Sequence, residues 1–294
     1  MKYALGVDVG GTNIRIALVD ENGNLYDVIK EKTNHGGVDA LVSQIVNLVK
    51  NFKCDKKIEG IGIGVPGPVK KDGTVIYIPN LDISTSFNLK EKIEKATGLP
   101  TFVGNDANVA GLAEACVGAG KGYDVCQYFT LSTGIGGGLI IDKKMVIGTH
   151  GFAQEVGSMV IKKGGRAPSI YKPKGCIEGH ASGTSLTKIA KEAGLDVNHA
   201  GEVFELSKND NKAKMIIDEF IDDLACFIGS IEAYMDPDIF ILGGGLMKSS
   251  DYFYDKLIER VDNYVHESLK GKIKIVKAKF DQDCGIIGAA MQCF

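Results

Sequence analysis

Apolar residues run almost unbroken from Tyr3 to Val9, which predicts a buried strand; after Gly10-Gly11-Thr12, Ile14, Ile16 and Leu18 line one face of a second strand ending at Asp20. Asn22-Gly23 is a hairpin-turn pair and leads into a third strand, Leu25 to Ile29. Helical spacing takes over from Val38 to Phe52, a strand follows from Ile58 to Val65, and Pro66-Gly67-Pro68 breaks it. Leu89 to Thr97 predicts a helix, Thr101 to Val103 a short strand, and Ala107 to Cys116 a helix that opens just after Asn105-Asp106.

The plan then starts again. Gln127 to Leu131 predicts a strand, Ser132 to Gly138 a glycine-rich turn, Leu139 to Asp142 a return strand and Lys143-Lys144 a tight connection. A strand, glycine turn and strand repeated at a spacing of ~125 residues indicates a weak internal duplication and two related domains. Gly164 to Gly175 predicts an irregular loop, Thr184 to Ala193 a helix, Asn211 to Met235 a long helix, and Asp238 to Leu242 a strand running into Gly243-Gly244-Gly245. Tyr252 to Leu269 predicts a helix, Lys274 to Phe280 a strand, and Gly285 to Cys293 a closing helix. The domains expected are 1–118 and 119–280, both α/β, with the C-terminal helix at about 281–294 packing back on the first.

Composition narrows the function. A chain of 294 residues, 44% apolar, exceeds one ordinary hydrophobic core. With 34 basic and 37 acidic side chains the net charge is −3, too weak a field for nucleic acid or an acidic membrane surface to be the main partner. A small neutral ligand fits better. The seven cysteines are odd in number and form no C-x-x-C pair, so neither a disulfide framework nor a closed zinc site is expected, and the expected home is a reducing cytoplasm. No segment approaches the ~20 apolar residues that span a bilayer.

Phosphate recognition needs backbone N–H donors at close range, and glycine allows that approach. Gly10-Gly11-Thr12, Gly134 to Gly138 and Gly243-Gly244-Gly245 each follow a strand. There is no G-x-x-x-x-G-K-[ST] loop, and the first two turns lead into strands, unlike a dinucleotide fingerprint. A hairpin cradle is therefore expected. Asp8 ends the first strand beside it, where a carboxylate could hold magnesium directly or through water, and Thr12 and Thr133 add hydroxyls. Asp106 reads either as a helix cap or as a general base for a substrate hydroxyl, with Asn105 holding a neighbouring hydroxyl. Glu155 and Glu178 are carboxylates suited to vicinal hydroxyls, or simply solvated; Lys162, Lys163 and Arg166 read as a solvated face.

Asp8-Val9-Gly10-Gly11-Thr12-Asn13, Val65-Pro66-Gly67, Gly104 to Ala110, Leu131 to Gly138, His150 to Gly157, Gly175-Cys176-Ile177-Glu178 and Ile241 to Gly245, in this order over nearly the whole chain, resemble the ROK family of bacterial sugar kinases and repressors. The resemblance implies an actin-like, hexokinase-type (ribonuclease H-like) α/β fold of two domains around a central cleft. It implies a carbohydrate kinase that uses ATP and Mg2+ on a small sugar, glucokinase-like and acting at the 6-hydroxyl, in a homodimer. Asp106 would be the catalytic base; Gly67, Asn105, Glu155, Ser158 and Glu178 would face the sugar. Asp8, Gly10, Gly11, Thr12, Asn13, Thr133, Gly134, Gly243 and Gly244 would face ATP, with Asp8 near magnesium through water.

Family kinases usually continue the Glu155 motif as Glu-x-Gly-His and add Cys-x-Cys-Gly, together binding structural zinc. Here Ser158 stands in place of the histidine and residues 159–175 contain no cysteine. Cys176 with His150 or His180 falls short of four ligands, so no zinc is expected and those histidines read as ordinary polar residues. The family histidine also reaches the sugar; the shorter Ser158 leaves room for a water or another substituent, so a sugar other than glucose is expected to be preferred. N-acetylmannosamine, allose or fructose kinase activity, or a non-catalytic sugar sensor, are the alternatives. A repressor would carry a DNA-binding module ahead of the phosphate-binding strand, and a two-carboxylate glycosidase would leave the glycine turns without a role.

Overall fold

The computed structural model describes residues 1–294. In chain order the elements are β1 (Tyr3–Val9), β2 (Asn13–Asp20), β3 (Leu25–Lys32), α1 (Gly37–Asn51), β4 (Ile58–Val65), β5 (Thr74–Val75), β6 (Phe87–Asn88), α2 (Leu89–Thr97), β7 (Thr101–Asn105) and α3 (Asp106–Val117). There follow β8 (Val125–Leu131), β9 (Ile135–Ile141), β10 (Lys144–Met145), α4 (Glu178–Ala181), α5 (Gly183–Glu192), α6 (Ala200–Leu206), α7 (Asn211–Met235), β11 (Ile239–Gly243), α8 (Tyr254–Val261), β12 (Ile275–Lys277) and α9 (Cys284–Met291). No helix is long and apolar enough to cross a membrane.

Two five-stranded sheets carry the fold, in the orders β3-β2-β1-β4-β7 and β10-β9-β8-β11-β12. In the first, β1 to β3 pair antiparallel while β4 and β7 add in parallel. That mixture follows from the connections: short turns join β1, β2 and β3, whereas helices precede β4 and β7.

The chain divides into two compact units: Met1–Tyr128 with Gly138–Gln154 and Lys279–Phe294, and Phe129–Gly137 with Glu155–Ala278. The first parting falls at Tyr128 rather than at the expected 118, because α3 packs tightly on its neighbours. A Cβ on Gly138 would lie 3.1 Å from the Ala107 carbonyl oxygen, and one on Gly111 would lie 3.1 Å from the Tyr128 Cβ. The same packing explains why β9 begins at Ile135 and not at Leu139. Its last glycine, Gly138, is a strand residue kept small by the helix against it, although glycine alone disfavours strands.

In the first unit α9 lies across β1 and β4. A Cβ on Gly62 would come within 1.7 Å of the Ala289 carbonyl oxygen, so only glycine permits this approach. Glu114, fully buried on α3, ties the returning chain to the helix: Oε2 accepts from the N–H of Ala119 at 2.8 Å and of Lys279 at 3.1 Å, and Oε1 from Phe280 N–H at 2.7 Å. A buried carboxylate is tolerated because backbone donors replace its water.

In the second unit a core of aromatic residues from α6, α7 and the segment before α8 includes Phe204, Phe220 and Phe253, with ring centroids 5.2–5.5 Å apart. The helix expected over Tyr252 to Leu269 is shorter, Tyr254–Val261. Its apolar pattern continues, but Tyr264 seats its backbone against Gly229 of α7 and donates its hydroxyl to Asp222 at 2.7 Å, which turns the chain.

Residues 159–177 are irregular, including the loop expected over Gly164 to Gly175, yet they are not a merely solvated face. Lys162 pairs with Glu219 at 2.7 Å and with the nearly buried Asp223 at 2.8 Å, and Arg166 pairs with Glu192. His180 is buried; its Nε2 accepts from Arg166 N–H at 3.1 Å, which puts the proton on Nδ1, 3.6 Å from Asp223. Burial, together with the Lys162 ammonium, holds the imidazole below its ordinary value of 6.5.

Two stability measurements follow. Glu114→Ala strands three backbone donors, each worth ~1–3 kcal/mol when buried and unsatisfied, so its denaturant midpoint falls well below wild type; an unchanged midpoint contradicts the clamp. The depressed His180 value means that below pH 6.5 the unfolded chain takes up a proton that the folded chain resists. Wild-type unfolding free energy therefore drops as pH falls from 6.5, by up to ~1.4 kcal/mol per pH unit from this group, and less so in His180→Asn; equal slopes for the two proteins contradict it.

Candidate active site

The first unit holds one cluster at the ends of β1, β4 and β7. Gly10 N–H donates to Asn13 O at 2.9 Å and closes the first glycine turn, which sets Asp8 opposite Arg15 across the β1–β2 ladder. That register makes their ion pair: Arg15 Nη2 donates to Asp8 Oδ2 at 2.8 Å, and Arg15 reaches on to Asp283 at 2.9 Å and to the Gln282 carbonyl. Thr12 and Gly11 occupy the turn, with the Gly11 carbonyl bonded to His35 and the Thr12 carbonyl to Thr33 N–H. Asp8 is the carboxylate at this turn that could hold a magnesium ion. A single carboxylate suits magnesium, which keeps most of its waters and takes only one or two carboxylates besides phosphate oxygens.

The helix cap is Asn105, not Asp106. Asn105 Oδ1 accepts from the N–H groups of Ala107 and Asn108 at 3.0 and 3.1 Å, and its Nδ2 donates to the Gly67 carbonyl at 3.1 Å. Gly67 has φ +140°, and a Cβ there would lie 2.2 Å from the Tyr77 carbonyl oxygen, so the Pro-Gly-Pro break needs glycine to bring that carbonyl to Asn105. Asp106 is the first helical residue, partly exposed, with Oδ1 2.7 Å from Ala107 N–H. The structure thus separates two roles that the sequence left overlapping: Asn105 caps, Asp106 presents a carboxylate.

The second unit holds the other cluster, at the β8–β9 turn. Ser132 N–H bonds Gly134 O at 2.9 Å, and the first N–H groups of α5, on Gly183 and Thr184, bond the carbonyls of Ser132 and Thr133. Glu178, at the start of α4, is held against this turn: Oε2 accepts from Ile135 N–H at 2.9 Å and from Lys172 Nζ at 2.8 Å. A Cβ on Gly134 would lie 2.7 Å from that oxygen and one on Gly157 3.0 Å, so two glycines leave the space the carboxylate fills. Glu155 lies nearby. Burial pushes its carboxyl above the ordinary range, Lys172 opposes that rise and Glu178 adds to it. Ser158 follows in the same short turn, its N–H bonded to Glu155 O at 3.0 Å.

Gly243 ends β11, and Gly244 follows with φ +90°, where a Cβ would be 2.4 Å from Leu131 O. Beside Ser132 and Thr133 opens a cavity of about 590 Å³, whose wall includes Gly245, Leu246, Thr184, Thr187, Lys188 and Lys191. Pockets of this size take drug-sized ligands. These wall residues were not anticipated, although Thr184, Thr187, Lys188 and Lys191 share one face of α5 at helical spacing, a polar stripe legible in principle. Lys172 was also missed, and nothing in a lysine-rich loop marks it out. The expected site residues therefore gather as Asp8, Gly10, Gly11, Thr12, Asn13, Gly67, Asn105 and Asp106 in the first unit, and Thr133, Gly134, Glu155, Ser158, Glu178, Gly243 and Gly244 in the second.

Comparison with known proteins identifies the family. The ROK family profile matches residues 4–293. Glucokinase of Thermotoga maritima is 30% identical, covering 97% of this chain and 95% of that protein. Among solved structures, the ROK hexokinase of Thermus thermophilus superposes with a TM-score of 0.89 at 28% identity, covering 98% of this chain and 97% of that one. A ROK family glucokinase from Streptomyces griseus, solved with glucose and AMPPNP, superposes with a TM-score of 0.78 at 29% identity over 98% of both chains. The fold is thus the actin-like, hexokinase-type α/β fold, and the chain belongs to the ROK family.

Proposed function

We propose that this protein transfers the γ-phosphoryl group of ATP to the 6-hydroxyl of a hexose or hexose derivative, with Asp106 as general base. The observation that carries the reading is the Asn105–Asp106 pair. Asn105 satisfies the helix end and braces the Gly67 loop, so Asp106 can take the proton of an attacking hydroxyl. The names of the relatives, glucokinases and a hexokinase, support the same class of reaction.

The other roles follow from donor chemistry. Glu155 and Glu178 accept sugar hydroxyls, Asn105 has a second amide hydrogen for a sugar oxygen, and Gly67 and Ser158 line the same substrate. The turn residues Gly10, Gly11, Thr12 and Asn13, with Thr133 and Gly134, cradle phosphates through backbone N–H and hydroxyl groups. The cavity beside Thr133 takes the adenosine against Gly245 and Leu246, with Gly243 and Gly244 leading into that wall. Asp8 would hold a magnesium ion through water, and that ion supplies charge neutralisation at the phosphate oxygens. Ser158 in place of a longer side chain favours a hexose derivative with a substituent larger than a hydroxyl as the preferred substrate.

Asp106→Asn tests the reading. It keeps the shape of the side chain and removes the base, so kcat for sugar-dependent ADP formation falls by ~10²–10⁴ while KM for ATP stays within a few-fold. A kcat within a few-fold of wild type would remove Asp106 from that role.

A further inference from the structure

We infer that Lys172 is a positioning residue for the sugar-binding carboxylates: its ammonium locks Glu178 by one oxygen and places a positive charge beside Glu155 and Glu178. The inference rests on reading Glu178 and Glu155 as sugar ligands.

Lys172 turns inward from an otherwise exposed stretch of the loop. Its neighbours Ile170 and Tyr171 are about nine-tenths exposed, whereas Lys172 is 23% exposed and lies 2.8 Å from a Glu178 carboxylate that is 16% exposed. The loop is anchored on both sides of this reach. Lys162 is fastened to Glu219 and Asp223, Ile161 N–H and Lys162 N–H both bond the Gly175 carbonyl, and Gly175 N–H bonds Arg166 O at 2.7 Å. A flexible four-carbon stem held at its base delivers a charge to a defined point at a smaller entropic cost than a free surface lysine.

The destination has been cleared for it. A Cβ on Gly157 would lie 3.2 Å from Lys172 Nζ and 3.0 Å from Glu178 Oε2, so the residue between Glu155 and Ser158 must be small for the pair to form. Glu178 Oε2 then carries two donors, Lys172 Nζ and Ile135 N–H. With that oxygen saturated, the carboxylate cannot swing, and Oε1 is the atom presented to a hydroxyl.

Charge gives the second half of the role. The charged groups that face Glu155 are Lys172 and Glu178, and burial already disfavours its ionised form. Two carboxylates in one partly buried site repel, and an ionised carboxylate accepts a stronger hydrogen bond from a hydroxyl than a protonated one. One ammonium beside the pair offsets that repulsion.

The test is steady-state kinetics of Lys172→Met, Lys172→Gln and Lys172→Arg, with ADP formation as readout and thermal unfolding as a check of folding. K172M and K172Q raise KM for the sugar by roughly 10–100-fold, the value of a hydrogen bond to a charged group, with kcat and KM for ATP within a few-fold. The acid limb of kcat/KM for sugar moves to higher pH, because Glu155 loses the charge that opposes its upward shift. K172R restores most of both. A residue that merely stabilised the loop would lower the unfolding temperature without moving the acid limb. Unchanged sugar KM and acid limb in folded K172M or K172Q overturn the inference while leaving the kinase reading intact; absence of sugar-dependent ADP formation in wild type overturns both.

Discussion

A carboxylate taken out of water must find donors elsewhere, and in this protein the oxygen Oε2 of Glu178 finds them in two otherwise unrelated segments. One donor is Ile135 N–H, on the glycine turn that ends in β9; the other is the ammonium of Lys172, on the irregular loop before α4. Both approaches require the missing side chains of Gly134 and Gly157. The consequence is that the turn suited to phosphate and the carboxylate suited to a sugar hydroxyl share one atom. A shift of the turn by even a fraction of an ångström reaches Glu178, and through electrostatics Glu155.

The first unit uses the same logic with amides. Asn105 carries the capping duty at the start of α3 and braces the Gly67 loop, and Asp106 opens the helix beside it with its Oδ1 on the Ala107 N–H. At the other end of the same helix, Glu114 binds the backbone of residues 119, 279 and 280, so α3 is fixed at both ends by polar groups rather than by apolar packing alone. That rigidity is what the proposed role of Asp106 calls for, since a general base must sit within hydrogen-bond reach of its proton.

The turns at Gly10 to Thr12 and at Gly134, the Asn105–Asp106 pair and the family order were legible because glycine, proline and capping residues act locally, over a few positions. What was misread depends on contacts distant in sequence. Gly138 of β9 looks like part of a loop until α3 is packed on it, and the helix from Tyr254 stops early because Tyr264 meets Gly229 and Asp222. Lys162 looks like a surface residue and His180 like an ordinary polar one until α7 supplies Asp223. Lys172 differs from the other lysines of its loop only by the carboxylate it reaches.

The central claim is phosphoryl transfer to a sugar, and the direct measurement is 31P NMR of the purified protein with MgATP and, separately, glucose, N-acetylglucosamine or N-acetylmannosamine. The account predicts that with at least one sugar the γ-phosphate signal is replaced by a sugar phosphomonoester in equal amount to ADP. Unchanged ATP with every sugar, or release of inorganic phosphate alone whether or not sugar is present, would contradict it.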